Sequence, residues 1–329
     1  MRAACIRAYG GPEELKVEDL PDPTPGPKDV LIEVHAAAIN PVDCKMRGGA
    51  MRGFLRKPFP FVLGADLSGV VREVGAKCTR LKPGDEVYTS PHHSQLGTYA
   101  ELAVVREDHV GLKPPSLTHQ EAAGIPLAGL TAWDCLTPLE AGQRALILAG
   151  SGGVGTLAIQ LAKERGAHVI TTCSERNTEL VRSLGADEVI DYTKQDFADE
   201  LSEIDLVLDS LGDWAHAKKV LRRGGRLRTI VSGLPDATKR YGPYVGPLTV
   251  GVNTAGLLLG SFVCQGVRAS SVLRQPSAAN LDELTKRVEA GTLRPVVDRV
   301  FPLDEIVAAH EYSETGRARG KIVIAVKAE

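Results

Sequence analysis

A glycine-rich turn near the middle of the chain constrains the fold more than any other feature of the sequence. The apolar run RALILA (144–149) leads into this turn, and the apolar segment TLAIQLAKERG (156–166) follows it. The turn consists of Gly150, Ser151, Gly152, Gly153, Val154 and Gly155. In a strand–turn–helix of this kind Gly150 permits the tight turn, Gly152 lets the backbone approach a pyrophosphate, and Gly155 lets the helix pack on the sheet. The segment therefore predicts a dinucleotide-binding unit.

Strand-like and helix-like segments alternate after this turn. The five further apolar runs are HVITTC (168–173), EVIDY (188–192), DLVLDSLG (205–212), RLRTIVS (226–232) and LLLGSFV (257–263). Apolar residues recur at helical spacing in the segments 155–165, 176–184 and 214–221. Such alternation implies right-handed crossovers and a parallel, doubly wound sheet. Six strands complete a Rossmann dinucleotide-binding domain.

The two ends of the chain have a different texture. Short β-rich runs such as DVLIEVHAAAI (29–39) fill the first third, separated by turn signals such as Pro25-Gly26-Pro27. They indicate a small β-barrel or sandwich. After an amphipathic helix at 281–289, the tail has strand texture at both ends, and we expect it to return to the first lobe, because a lone strand needs a sheet to join. A length of 329 residues suits two domains.

Bulk properties exclude several classes of function. The net charge is −2 and no basic tract is present, which argues against nucleic acid or an anionic membrane as partner. The six cysteines are scattered, without the spacing of a disulfide framework or a zinc site. The uncharged stretch 245–267 contains Pro247, Asn253 and five glycines, so we interpret it as a loop leading into a buried strand. No secretory signal precedes the first strand, and a cytoplasmic location is expected.

The residues after the second strand of the dinucleotide unit decide between NADPH and NADH. Ser174 is small and admits a 2′-phosphate, and Arg176 can neutralise it. These two residues favour NADPH. Glu175 is contrary evidence, because a carboxylate at this place would accept hydrogen bonds from the ribose 2′-OH of NADH.

Several segments together resemble a known superfamily over essentially the whole chain. They include Asn40-Pro41-Val42-Asp43, LGADLSGVV (63–71), EAAGIPLAGLTAW (121–133) and ARGKIVI (318–324). The chain resembles the medium-chain dehydrogenases/reductases, in the zinc-free quinone oxidoreductase and enone reductase branch, close to the reticulon-interacting mitochondrial oxidoreductase group. The resemblance implies an α/β protein: a GroES-like β-rich catalytic domain at 1–122, completed by 266–329, with the Rossmann domain at 123–265 between them.

The resemblance also bears on metal binding. Zinc-dependent members hold a catalytic zinc with Cys, a His-Glu pair and a further Cys or Asp. Here Asn40 stands at the first ligand position, Ala65-Asp66 replaces the His-Glu pair, and the inserted four-cysteine lobe is missing. We therefore expect no metal, and we interpret His92-His93 as loop residues. Without a Lewis acid, the expected chemistry is hydride transfer from NADPH to an electrophilic enone, enal or quinone. The alternative is an NADPH-binding regulatory or interaction protein with little turnover.

Specific site residues follow from the same resemblance. Asn40 is the candidate polar group on the substrate side, although Asn before proline is also a common turn residue. Asp43 would orient Asn40 or Lys45, or else anchor the loop structurally. Lys45 would donate to a developing oxyanion, although a lone lysine is more often a solvated surface residue. Met51 stands where many quinone oxidoreductases have a tyrosine, so solvent is the expected proton donor.

Further residues are assigned to the cofactor, the substrate pocket and assembly. Beyond the glycine turn, Ser174 and Arg176, the residues expected to bind the cofactor are Thr131, Tyr192, Leu211, Ser232 and Lys321. Tyr241 and Tyr244, in a Gly/Pro-rich loop, are candidates for lining the substrate pocket. The apolar run LLLGSFV predicts a sheet edge that pairs with a second subunit, hence a homodimer.

Overall fold

The computed structural model describes residues 1–52, 57–231 and 266–327. The chain divides into two compact units. The split unit contains Met1–Leu130 and Gln275–Glu329, and the central unit contains Thr131–Arg274. The sequence-based division after residues 122 and 265 falls earlier in the chain than both of these boundaries, the first of which lies within the helix Pro126–Leu136. As domain bounds, those positions stay a prediction.

Strands and helices are numbered here in chain order over the described residues. The strands are β1 (Arg2–Ile6), β2 (Lys16–Asp19), β3 (Asp29–Ile39), β4 (Phe61–Val62), β5 (Leu67–Val74), β6 (Glu86–Thr89), β7 (Leu102–Arg106), β8 (Val110–Leu112), β9 (Arg144–Ile147), β10 (His168–Cys173), β11 (Glu188–Asp191), β12 (Ile204–Asp209), β13 (Leu221–Thr229), β14 (Arg268–Ser271), β15 (Val297–Pro302) and β16 (Lys321–Ala325). The helices are α1 (Pro41–Arg47), α2 (His119–Ala123), α3 (Pro126–Leu136), α4 (Gly153–Glu164), α5 (Thr178–Ser183), α6 (Phe197–Glu200), α7 (Trp214–Val220), α8 (Ala278–Glu289) and α9 (Ile306–Glu314).

The split unit is built on two sheets. Three strands pair in the order β2-β1-β4, and seven form the larger sheet, in the order β15-β16-β3-β5-β6-β8 with β7 also on β3. Along β3 the side chains from 29 to 36 alternate between buried and partly exposed, as expected for a strand with one face on the core. The last strand, β16, pairs antiparallel with β3, with Ile322 opposite Ile39. This pairing confirms that the tail returns to the first lobe.

The central unit contains a parallel sheet of six described strands in the order β11-β10-β9-β12-β13-β14. This is the strand order of a dinucleotide-binding sheet. Successive strands are added on one side of the first strand, β9, as far as β11, and then on its other side from β12 onward. The doubly wound α/β fold expected from the sequence is thereby confirmed. The core of this sheet includes Leu146, Ile170 and Val207, all fully buried. Consecutive buried apolar residues, such as Leu206, Val207 and Leu208 on β12, are typical of a strand that is covered on both faces.

Several sequence expectations need adjustment or lie outside the described ranges. The sixth described strand is β14, whereas the sequence placed the sixth run at 257–263. That run, together with Ser232, Tyr241 and Tyr244, lies outside the described residues. Within the ranges that are described, no helix is both long and apolar enough to span a bilayer.

Candidate functional site

The glycine turn of the central unit forms an open cradle ahead of α4. A Cβ atom added at Gly150 would lie 2.0 Å from Oγ1 of Thr171, and one at Gly155 would lie 2.4 Å from the carbonyl oxygen of Ala149. Both positions therefore require glycine for packing within the chain. Among the described residues, a Cβ at Gly152 would meet only that same carbonyl, at 3.3 Å. The described part of the chain thus leaves the space over Gly152 open, as a close approach by a pyrophosphate requires.

The start of α4 completes this cradle. Gly152 is the N-cap residue, and no side chain caps the helix. The helix begins at Gly153, inside the turn, rather than after it as the sequence pattern suggested. The first backbone N–H groups of a helix lack intrahelical partners and attract anions. The residues present therefore fit the diphosphate of a dinucleotide.

One residue that sequence reasoning missed fastens the turn to the next strand. The side-chain amide of Asn177 donates to Oγ of Ser151 at 2.9 Å and to Oγ of Ser174 at 3.4 Å. Asn177 is buried, and its Oδ1 atom has no hydrogen-bond partner within the described part of the chain. Asn177 thereby joins two residues predicted to contact the cofactor. A polar residue four positions after the end of β10 was the only sequence signal for it.

Residues predicted to bind the cofactor follow the carboxyl ends of three strands of the parallel sheet, β10, β11 and β12. Ser174 follows β10, and Tyr192 follows β11 with 62% of its surface exposed. Leu211, after β12, is 59% exposed. Large exposed apolar side chains at this edge are suited to contact a ligand, since ligands of open α/β sheets bind at the carboxyl ends of the strands.

A buried carboxylate that sequence reasoning missed holds the loop carrying Leu211. Oδ1 of Asp209 accepts the backbone N–H groups of Leu211 at 2.9 Å, Gly212 at 2.8 Å and Asp213 at 3.3 Å. Asp209 is fully buried at the end of β12. Its role is to fix the loop, because all three bonds go to successive backbone groups. Asp at the end of an apolar strand run was the available signal.

In the split unit, three predicted or motif-aligned residues meet in one buried polar cluster. The ammonium of Lys321 donates to Oδ1 of Asn40 at 2.5 Å and to Oδ2 of Asp66 at 3.1 Å. The amide of Asn40 donates to Oδ2 of Asp66 at 2.9 Å and to the carbonyl oxygen of Ala38 at 3.3 Å. Both N–H bonds of this amide are therefore already used. Asn40 has no side-chain donor left for a substrate in this arrangement.

Burial dominates the electrostatics of this cluster. Asp66 is fully buried and Lys321 is 5% exposed. Burial raises the pKa of Asp66, while the positive charge of Lys321 and the amide of Asn40 oppose that rise. The backbone N–H of Leu127 also donates to Oδ1 of Asp66, at 2.7 Å. Both carboxylate oxygens thus have partners, as a buried charge requires.

Asp43 orients the backbone of Asn40. Its Oδ2 atom accepts the backbone N–H of Asn40 at 2.8 Å and the hydroxyl of Tyr99 at 2.9 Å. Burial raises the pKa of Asp43 to about 7, although these two hydrogen bonds act to lower it. Tyr99, which the sequence did not single out, is fully buried. Asp43 is enclosed, whereas Lys45, two residues later on α1, is exposed.

The other end of α1 is anchored to α9. The guanidinium of Arg47 donates to the carbonyl oxygen of Gly10, to Nδ1 of His310 at 2.9 Å and to Glu314. Because arginine only donates, Nδ1 of His310 must accept, so the imidazole is neutral. Burial, together with the charge of Arg47, lowers the pKa of His310 to about 3. Burial likewise raises the pKa of Cys44 to about 11, so this thiol is not a nucleophile.

The remaining predicted residues lie in separate places. Thr131 is buried on α3, and Met51 packs against the apolar core of the split unit. The rings of His92 and His93 are 5.7 Å apart between centroids. No group of three His, Cys, Asp or Glu side chains within residues 1–52, 57–231 and 266–327 is arranged to hold a metal ion. Arg176 is exposed next to Glu175.

Comparisons with known families support this picture. The family described as "Alcohol dehydrogenase GroES-like domain" matches residues 26–115, and that described as "Zinc-binding dehydrogenase" matches residues 184–324. A similar solved structure is the quinone oxidoreductase from Coxiella burnetii, with 34% sequence identity, a TM-score of 0.85 and 99% of each chain covered.

Relatives of known name are oxidoreductases. The NAD(P)H oxidoreductase RTN4IP1, mitochondrial, of Mus musculus is 40% identical over 326 residues, which cover 91% of this chain and 82% of the mouse protein. The NADPH-dependent alkenal/one oxidoreductase, chloroplastic, of Arabidopsis thaliana is 37% identical over 337 residues. The aligned region covers 98% of this chain and 79% of the Arabidopsis protein.

These names overturn one expectation and confirm another. A cytoplasmic location is wrong as a prediction from the sequence, because the RTN4IP1 relatives are named mitochondrial and the Arabidopsis relative chloroplastic. The resemblance stated from the motifs is confirmed. The chain belongs to the medium-chain dehydrogenase/reductase superfamily, in the branch that contains NAD(P)H oxidoreductases, alkenal/one reductases and quinone oxidoreductases.

Proposed function

We propose that the chain is a zinc-independent, NADPH-dependent oxidoreductase that transfers a hydride to an electrophilic carbonyl compound, either an α,β-unsaturated ketone or aldehyde or a quinone. The names of the relatives support the reaction class. The open turn at Gly152 and the uncapped start of α4 support dinucleotide binding. Ser174 and Arg176 at the carboxyl edge of the sheet support a 2′-phosphorylated cofactor.

The position of Lys321 carries the zinc-independent part of the proposal. By motif alignment, Asn40 and Asp66 stand where zinc-dependent members have metal ligands. Here the chain's own ammonium bonds to both residues, at 2.5 Å and 3.1 Å. A cation at this place already compensates the buried carboxylate of Asp66, so a metal would have to displace Lys321. An amide and a single carboxylate are also poor ligands for zinc, which prefers sulfur and imidazole nitrogen.

The chain's own residues have separate roles in this hydride transfer. NADPH, when bound, supplies the hydride, and the acceptor must already be electrophilic because no Lewis acid polarises it. Gly152 and the N-terminus of α4 would bind the diphosphate. Asp43, Asn40 and Lys321 fix the start of α1. Lys45 is exposed on that helix, and we assign it to hydrogen bonding with the developing oxyanion. Asn40 cannot take this role, because both N–H bonds of its amide already donate to Asp66 and Ala38.

We also propose that the enzyme is a homodimer. The support comes from the sequence, in which the apolar run 257–263 has the character of a sheet edge that pairs with another copy. Light scattering on the eluate of a size-exclusion column tests this assignment. A mass close to twice 35.1 kDa is expected, and a mass of a single chain would contradict it.

Steady-state turnover tests the reaction. Purified protein is mixed with NADPH or NADH and a panel of enones, enals and quinones, and cofactor oxidation is followed by absorbance. We expect oxidation of NADPH with at least one class of acceptor, and lower kcat/KM with NADH. Tight binding of NADPH without turnover across the whole panel would overturn the proposal and favour a binding protein. A K45M variant should lose kcat while it keeps NADPH affinity.

A further inference from the structure

An ion pair stands at the carboxyl end of the second strand of the central sheet, where the sequence left NADPH and NADH both open. Cys173 at the end of β10 and Asp191 at the end of β11 are paired neighbours in parallel strands. The backbone N–H of Tyr192 donates to the carbonyl oxygen of Cys173 at 3.3 Å. The turn after β11 therefore runs beside Ser174 and Glu175.

Local hydrogen bonds fix the conformation of that turn. Oδ1 of Asp191 accepts the backbone N–H of Thr193 at 3.0 Å and its hydroxyl at 2.7 Å. The backbone N–H of Lys194 donates to the carbonyl oxygen of Asp191 at 3.0 Å. These bonds direct Lys194 toward the end of β10. Its ammonium donates to Oε2 of Glu175 at 2.9 Å and lies 3.8 Å from Oδ2 of Asp191.

This pair changes what Glu175 can do. An unpaired carboxylate at the end of the second strand accepts hydrogen bonds from a ribose 2′-OH and repels a 2′-phosphate. With Lys194 bonded to it, the charge of Glu175 is compensated and its carboxylate is turned toward the β11 turn. Ser174 and Arg176 stand on either side of Glu175 in the chain and are the residues that we assign to the 2′-phosphate. Both partners of the pair are exposed, so the pair adds little to folding stability.

We propose that Lys194 determines the specificity for NADPH over NADH by holding Glu175 away from the adenosine ribose. The ligand class that the pair selects is an adenine nucleotide with a 2′-phosphate. The inference rests on the proposed function, because it assumes that the central unit binds a nicotinamide dinucleotide. It adds a residue that the glycine turn, Ser174 and Arg176 do not supply.

Binding of 2′,5′-ADP and 5′-AMP to the full chain tests the proposal, because these nucleotides differ only in the 2′-phosphate. Calorimetry at one fixed ionic strength gives the ratio of the two affinities. We expect K194Q to lower the preference for 2′,5′-ADP about tenfold, through the freed carboxylate of Glu175. The double variant E175Q/K194Q should return to within about threefold of the wild-type ratio, because the carboxylate is gone.

A matched control uses another exposed ion pair of the same type. Lys286 donates to Glu283 at 2.6 Å on α8, in the split unit. K286Q should leave the affinity ratio unchanged, which separates the local effect from a change in net charge.

The outcomes distinguish this inference from the proposed function. An unchanged ratio in K194Q overturns the inference, as does a ratio that stays low in the double variant. If the wild type oxidises NADPH and K194Q keeps the same ratio, the proposed function survives and the inference fails. If the ratio shifts as expected but no acceptor is reduced, the inference survives and the proposed turnover fails. A wild type that binds neither nucleotide overturns both.

Discussion

At the scale of single residues, the most consequential contact joins Lys321 to Asp66. The motif comparison identified Asp66 as a departure from a metal-binding pair and placed Lys321 near the cofactor. It could not predict that the two would meet, because 255 positions separate them in the chain. Their contact depends on β16 pairing with β3, which is a property of the whole split unit.

The Lys321–Asp66 pair has a measurable effect on stability. Lys321→Met would leave Asp66 buried without its cation and Oδ1 of Asn40 without its donor. Removing one partner of a buried pair costs about 3–5 kcal/mol. We expect a loss of that order in the free energy of unfolding, measured by urea denaturation, with recovery of most of it in D66N/K321M.

A control for this prediction lies a few residues further along the chain. Lys327 pairs with Glu33 at 3.0 Å, and half of the Lys327 side chain is exposed. K327M should cost less than about 1 kcal/mol, since exposed pairs contribute little. A K321M variant as stable as K327M would show that Lys321 and Asp66 are not a coupled buried pair.

Asp43 should give the protein a characteristic pH dependence. In the unfolded chain its carboxyl loses a proton near its ordinary pKa of 3.8, whereas burial raises the pKa in the folded protein to about 7. Between these values the folded state binds more protons, so stability falls as pH rises and levels off above about pH 8. Relative to D43N, the wild type should lose on the order of a few kcal/mol from pH 4 to pH 8.

Urea titrations of both proteins across this pH range measure that difference. The comparison with D43N removes the contributions of the other titrating groups, which both proteins share. A constant difference in the free energy of unfolding between pH 4 and pH 8 would mean that Asp43 ionises normally.

At the scale of secondary structure, two substitutions in the glycine turn should affect different properties, one the stability of the fold and the other the binding of the cofactor. In G155A the new Cβ would lie 2.4 Å from the carbonyl oxygen of Ala149, so the start of α4 must move away from the turn. In G152A the closest atom is that same oxygen at 3.3 Å, and the backbone is in an extended conformation that alanine adopts.

We therefore expect G155A to lower the melting temperature by several degrees, as a clash with backbone in the core does. We expect G152A to keep the melting temperature within about 1 °C and to weaken NADPH binding at least about tenfold, because its methyl group occupies the space of the diphosphate. Differential scanning calorimetry and NADPH fluorescence titration separate the two effects. Equal losses of stability in both variants would contradict this account of the turn.

The accuracy of the predicted elements depended on the type of signal. The strand at 168–173 is confirmed residue for residue, because four β-branched residues follow one another in it, from Val169 to Thr172. The strand expected at 226–232 begins earlier, at Leu221. Gly224 adopts a φ of 81° within it, and the pairing with β12 shifts register there. Because the first part of this strand contains charged residues and glycines, it has no apolar run that would indicate a strand in the sequence.

At the scale of the whole molecule, the sequence predicted the architecture better than the polar networks. The alternating pattern and the glycine turn were sufficient for the doubly wound parallel sheet, because each depends on local spacing, but they did not predict its sixth described strand, β14. The residues that fix the candidate site were less accessible. Asn177, Tyr99 and Lys194 act through partners brought close by strand pairing and side-chain packing, which no local pattern encodes.

The Asn40 assignment shows the same limit. Motif alignment assigns Asn40 to the candidate site, but it could not predict the state of the amide, whose two N–H bonds are used by Asp66 and Ala38. A residue type at an aligned position indicates proximity to a site, whereas availability for a substrate depends on its neighbours.

The central claim is that hydride transfer by this chain needs NADPH and no metal. Its most direct test is the rate of NADPH oxidation with an active enone or quinone before and after exhaustive chelation, with the zinc content of each sample measured by mass spectrometry. We predict the same rate in protein that contains far less than one zinc per chain. A rate that disappears with the metal and returns on addition of zinc would contradict the account.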